Sequence, residues 1–197
     1  PIDENMTMWA TFTDYVNVYS VVGGLAVVLL TLVHGLTFIG LRTTGPVHTR
    51  ALALLKKVYM VLFGGLVVFA VLTYFNTDLF TVRPVATPVF LVCIVLAAVL
   101  GFIFANKGKE GWAFTMSGLT IVLTVAMLFV GLFPRVMISS IDPAFNLTID
   151  NAASGQYTLS LMTKISLTLL PFVLGYQIWS YYIFRKRISH KDTVNYK

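Results

Sequence analysis

Five apolar stretches dominate the sequence, at about residues 17–41, 58–75, 85–105, 112–133 and 158–184, and none of them holds an Asp or Glu. A helix of about 20 residues crosses roughly 30 Å of hydrocarbon, and each stretch is of that order. Barrel strands would instead run about 10 residues with apolar and polar residues alternating. Runs such as PVFLVCIVLAAVLGFIF do not alternate. A helix also satisfies its own backbone groups in lipid, which an open strand does not. The fold class that follows is all-α, a polytopic transmembrane bundle of about five helices. Composition agrees: 57% of the 197 residues are hydrophobic and 11% charged, whereas soluble domains carry about 25% charged residues.

The charges sort between the stretches. Arg42, Arg50, Lys56 and Lys57 follow the first, Lys107 and Lys109 the third, and Arg185, Lys186, Arg187, Lys191 and Lys197 the fifth, which is eleven of the 14 Lys and Arg. The opposite ends carry Arg83, Arg135 and Lys164 with Asp3, Glu4, Asp14, Asp78, Asp142 and Asp150, six of the 8 acids. The positive-inside rule then predicts the N-terminus outside and the C-terminus in the cytoplasm. The net charge of +6 is thus an orientation signal and an anionic-lipid contact, not a nucleic-acid footprint. The opening PIDENMTMWATFTD is polar and acidic and does not read as a signal peptide. A start outside without one predicts that the chain is the C-terminal portion of a longer protein, preceded by an odd number of helices.

The single cysteine, Cys93, lies in an apolar run and reads as a small hydrophobe. Trp9, Tyr15, Tyr19, Trp112, Trp179, Tyr181 and Tyr182 mark stretch ends, where aromatic rings favour the headgroup level. The longest connection, residues 134–157, holds Asp142, Pro143, Asn151, Ser154 and Gly155 as turn chemistry. Its Asn146, Leu147 and Thr148 match a glycosylation sequon of little weight. Pro171 falls mid-stretch and predicts a kink.

Three stretches carry small and hydroxyl residues at helical spacing, which lets membrane helices approach closely. They are Ser20, Gly24, Val27, Thr31 and His34; Ala113, Ser117, Thr120, Thr124, Met127 and Gly131; and Ser160, Lys164, Thr168, Pro171, Gly175 and Trp179. The spacing predicts contact faces, within the chain or toward a partner. His34 is the ionisable residue of the first face. An intramembrane histidine invites a functional reading, as a haem ligand or as part of a proton path or quinone contact. His48 and His190 fall in the connections, so a second axial histidine is missing from the apolar runs. The reading with most weight is a neutral, hydrogen-bonded packing residue. Lys164 sits about 10 Å into its helix, close enough to snorkel outward; pairing with Asp142 or Asp150 is the alternative. No nucleophile with its base, no paired carboxylates and no phosphate loop appear in the runs. The residues therefore assign no catalytic, cofactor-binding or metal site.

HGLTFIGLRTTG, GWAFTMSGLT, FPRVMISS, NAASGQYTLSLMT and LLPFVLGYQIWSYYIFRKRI follow one another between residues 34 and 188. In this order the chain resembles subunit II of the bacterial cytochrome bd-type quinol oxidases, the last block being most similar to the Gram-positive version. The resemblance implies an eight-helix subunit of which this chain holds the last five helices. It also implies a plasma-membrane complex with a haem-bearing subunit I, which oxidises quinol and reduces dioxygen to water. Haems b and d would lie in subunit I, with a bound quinone in some subunit II members and no haem ligand from this chain. The alternative from another class is a small multi-helix transporter or channel, for which Pro171 and His34 are the hints. A third is a membrane scaffold without redox linkage.

Overall fold

The computed structural model describes residues 1–187 apart from Met6. The elements run α1 (Phe12–Tyr15), α2 (Val18–Arg42), α3 (Pro46–Asn76), α4 (Leu79–Val82), α5 (Ala86–Asn106) and α6 (Glu110–Leu132). Then come β1 (Arg135–Met137), a 3-10 turn (Pro143–Phe145), β2 (Leu147–Thr148) and α7 (Gln156–Ile183). Among the described residues, five helices (α2, α3, α5, α6 and α7) are long and apolar enough to cross a membrane. Lys191, Lys197 and His190 lie outside the described residues.

Four of the five apolar stretches end within two residues of their helices. The exception is α3, which begins at Pro46 and not near residue 58. Proline at the first helical position suits a missing N–H that has no partner there anyway. The segment that follows, ALALLKK, is made of strong helix formers. Hydropathy detects only the lipid-crossing part, so it misses the charged turns that precede it. His48 therefore lies in the first turn of α3 and not in a connection. α6 begins at Glu110, two residues early, where an acid is favoured by the helix dipole.

α2 packs along α3 and α6, and α6 packs along α5, while α3 and α5 touch only lightly. The shared core includes Leu30, Val33, Leu55, Tyr59, Leu62, Ile94, Ala98 and Met127. The face foreseen on α6 is the packed one: Ala113, Ser117, Thr120, Met127 and Gly131 are its buried residues. On α2 the foreseen face is mostly exposed. Ser20, Gly24, Val27 and Thr31 face outward, and the burial falls on Ala26, Leu30, Val33, Leu36, Thr37 and Gly40. α7 goes further, with none of its residues buried against the described remainder of the chain. It runs as one helix through Pro171. It meets the bundle at its C-terminal end, where Tyr181 meets Phe38 edge-on at 6.3 Å and Arg42 Nη1 donates to Phe184 O at 3.4 Å.

One feature departs from an all-helical reading. β1 and β2 pair antiparallel within the 134–157 connection, Arg135 opposite Thr148 and Met137 opposite Leu147. The turn residues foreseen there do their work: Asp142 Oδ1 accepts from Ala144 N at 2.8 Å, and Asn151 Oδ1 accepts from Thr148 N at 2.7 Å. Asn146, the sequon residue, accepts from Ser139 N through its side chain at 2.8 Å. The hydroxyl of Ser139 donates to Ile2 O at 2.8 Å, so the N-terminal turn closes over this connection.

Candidate functional site

Polar side chains gather at three levels of the bundle. The first lies within the apolar helices. His34 is on α2, and Ser117 is on α6, which packs against it. His34 Nδ1 and Ser117 Oγ are 2.9 Å apart, and Thr37 Oγ1 is 3.1 Å from the same hydroxyl. Thr37 also donates to His34 O and Ser117 to Phe114 O. The imidazole stacks on Phe114 with ring centroids 4.5 Å apart. Spacing alone marked His34 and Ser117 on separate helices; the α2–α6 crossing brings them together. Thr37 had no such mark, because its neighbours in sequence are apolar.

The second level is the basic end. His48 Nδ1 lies 2.9 Å from Gly40 O, the last turn of α2. Its Nε2 lies 3.2 Å from Glu110 Oε1, at the start of α6. The other oxygen of Glu110 pairs with Arg187, beyond α7. One carboxylate thus ties the ends of four helices. The chain reading missed it, since Glu110 sits just outside the apolar run and looks like a loop charge.

The third level is the acidic end. Arg135 grips Asp78 with two donors, its Nη2 lying 3.1 Å from Oδ1. The Arg135 hydrogen bonds hold the Asp78 carboxyl below its ordinary 3.8. Arg83 Nη2 donates to Phe133 O at 2.9 Å, which binds the loop after α3 to the end of α6. Lys164 pairs with neither Asp142 nor Asp150 among the described ion pairs. Trp9, Tyr15, Trp112, Trp179, Tyr181 and Tyr182 are all exposed, as interface anchors are. Tyr19 differs: its ring stacks on Phe69 at 5.7 Å and its hydroxyl lies 3.3 Å from Thr73 Oγ1.

The described residues bring no three His, Cys, Asp or Glu side chains together as a metal site. What the three levels do chemically is hold helices in register. The second and third tie helix ends, and the first places one imidazole against two hydroxyls inside the bundle.

Residues 1–184 match the family model described as cytochrome bd terminal oxidase subunit II. The match reaches further back than the block order near residue 34 did. The chain is 49% identical over 196 residues to cytochrome bd ubiquinol oxidase subunit 2 of Bacillus subtilis (strain 168), covering 100% of this chain and 58% of that relative. It is 25% identical over 222 residues to cytochrome bd-I ubiquinol oxidase subunit 2 of Escherichia coli (strain K12), covering 97% and 59%. The chain therefore spans less than two thirds of the length of these curated relatives. The match favours the oxidase reading over the transporter. With five membrane-length helices and bacterial respiratory relatives, this is a multi-pass plasma-membrane protein. The extent of the family match and the near-half identity across the whole chain place it in one group: the chain belongs to the cytochrome bd terminal oxidase subunit II family.

Proposed function

We propose that this chain serves as the subunit II part of a quinol oxidase, supporting a haem-bearing subunit I while quinol is oxidised and dioxygen is reduced to water. The observation that carries the reading is the family match over residues 1–184. In this reading the five helices are one bundle of a longer, eight-helix subunit. The acidic end faces outside and the basic end faces the cytoplasm, as charge sorting favours. Haems b and d belong to subunit I, and a quinone is a further ligand of the complex.

The chain's own residues have a supporting role in this proposal. Haem iron takes an axial imidazole, often with a second histidine or methionine opposite. What supports a packing role for His34 is that its contacts join two helices of the bundle. Its Nδ1 faces Ser117 and its ring lies flat on Phe114. His48 is at a helix end between Gly40 and Glu110. The exposed faces of α2 and α7 are what a partner subunit needs, since small residues let membrane helices approach. α7 in particular is apolar over most of its length, and the described residues leave it almost uncovered.

The test is purification of the full-length subunit from its own membranes. The expected result is co-purification with a haem-bearing membrane protein whose reduced spectrum shows b- and d-type bands. A stable full-length subunit that purifies alone, from membranes holding no such partner, overturns the proposal.

A further inference from the structure

The light contact between α3 and α5 leaves a groove on that side of the bundle. Near the basic end it opens as a cavity of about 670 Å³, with Lys56, Lys57, Asn106 and Gly108 in its lining. Lys107 lies between the last two in sequence. The carboxylate nearest in sequence to this mouth, Glu110, already pairs with His48 and Arg187. His48 is also in the lining and carries Glu110 at 3.2 Å, and with that carboxylate shared between His48 and Arg187 the mouth keeps the charge of Lys56 and Lys57.

Deeper along the same two helices lies a second cavity of about 530 Å³. Phe63, Val67 and Val71 of α3 and Leu91, Val95 and Leu96 of α5 line it. The one hydroxyl in its lining, Thr124, already donates to Thr120 O at 2.8 Å. Phe63, in the lining of this cavity, meets Phe102 of α5 edge to face at 5.8 Å. By helical rise the apolar trough begins about 9 Å beyond Lys57 and ends about 21 Å beyond it. That bracket contains the half-thickness of the hydrocarbon layer, about 15 Å.

A cationic mouth at headgroup level above an apolar trough of acyl-chain depth complements one kind of molecule. We infer that the α3–α5 groove binds a single anionic phospholipid, with its phosphodiester at Lys56 and Lys57 and one acyl chain beside Val67 and Val95. A quinone has an apolar tail but no anion to meet the lysines. A neutral phospholipid brings its own cation to the same place. The inference rests on the membrane-spanning reading of α3 and α5, and holds whether or not the complex oxidises quinol.

The probe is phosphatidylglycerol against phosphatidylcholine, offered in equal amounts to the purified full-length complex and read by native mass spectrometry. Wild-type complex is expected to retain one more phosphatidylglycerol than the Lys56→Gln/Lys57→Gln complex. The affinity of that lipid should fall on the order of tenfold, with phosphatidylcholine unchanged. Val95→Trp, at an exposed groove position, is expected to expel the same lipid by filling the trough. Should the variants fail to assemble, phosphatidylglycerol with a photoreactive acyl chain is used on wild type. Labelling then falls on α3 and α5 beside Val67 and Val95. Equal phosphatidylglycerol retention by wild type and the lysine variant, equal retention of both lipids by wild type, or labels scattered away from the groove each overturn the inference. So does finding a protein helix or a quinone seated there in the full-length complex.

Discussion

Glu110 Oε1 lies 3.2 Å from His48 Nε2, so a carboxylate opening α6 meets an imidazole in the first turn of α3. The ring's other nitrogen faces Gly40 O at 2.9 Å, so one imidazole bridges the end of α2 and the start of α6. Glu110 also holds Arg187, so it is the shared member of the contact.

Glu110→Gln is therefore expected to destabilise more than His48→Gln, by about 1–2 kcal/mol. It removes the charge that two partners face. Thermal melting of the detergent-solubilised complex reads the difference. Equal melting temperatures for wild type and Glu110→Gln would show that the carboxylate ties nothing together.

Acid should loosen the opposite end. Arg135 lowers the Asp78 carboxyl below 3.8. A depressed acid contributes stability that is fully present above its unfolded value and lost as pH falls through the lower folded one. The Asp78 side chain is 43% exposed, so solvent screening keeps the contribution near 0.5 kcal/mol. Wild type should lose melting temperature slightly faster than Asp78→Asn as pH falls from about 4. Parallel curves for the two would contradict this.

His34→Leu breaks the Ser117 contact within the bundle. Hydrogen bonds between membrane helices average about 0.6 kcal/mol, so assembly should weaken modestly and the haem bands persist. Ser117→Ala should cost a similar amount. The double variant should cost less than the sum, because both changes remove one shared bond. Loss of a haem band in an assembled His34→Leu complex would assign the imidazole to the chemistry.

Tyr59 is 1% exposed, and its hydroxyl has no hydrogen-bond partner among the described residues. A Cβ added at Gly101 would lie 2.6 Å from that oxygen. Burying an unpaired hydroxyl costs about 1–3 kcal/mol, so Tyr59→Phe should be neutral or stabilising. Gly101→Ala alone should destabilise, and Tyr59→Phe should rescue it. Melting curves of the three variants decide this. No rescue would place the strain elsewhere, on the other close neighbour, Met116 Cβ at 3.4 Å.

The membrane spans were legible because lipid imposes one requirement on every spanning helix, a run of apolar residues of fixed length. Leu132 and Asn106 end their helices within a residue of the sequence reading for that reason. The first turns of α3 were not legible, since His48, Arg50, Lys56 and Lys57 look like loop charges to a hydropathy window. Nor was Glu110 a signal: one acid between two apolar runs carries no mark of the imidazole it meets.

Sequence by itself determined that the chain threads a bilayer as helices and that its charges divide between two ends, because composition and spacing are local properties that lipid and water read directly. Only the tertiary structure decided which faces are used inside the chain. Ser117 and Thr120 on α6 are buried, while Ser160 and Thr168 on α7, at equivalent spacing, stay exposed. Small residues make a close approach affordable for any neighbouring helix, and which helix comes near is set by contacts between residues as far apart as His34 and Ser117.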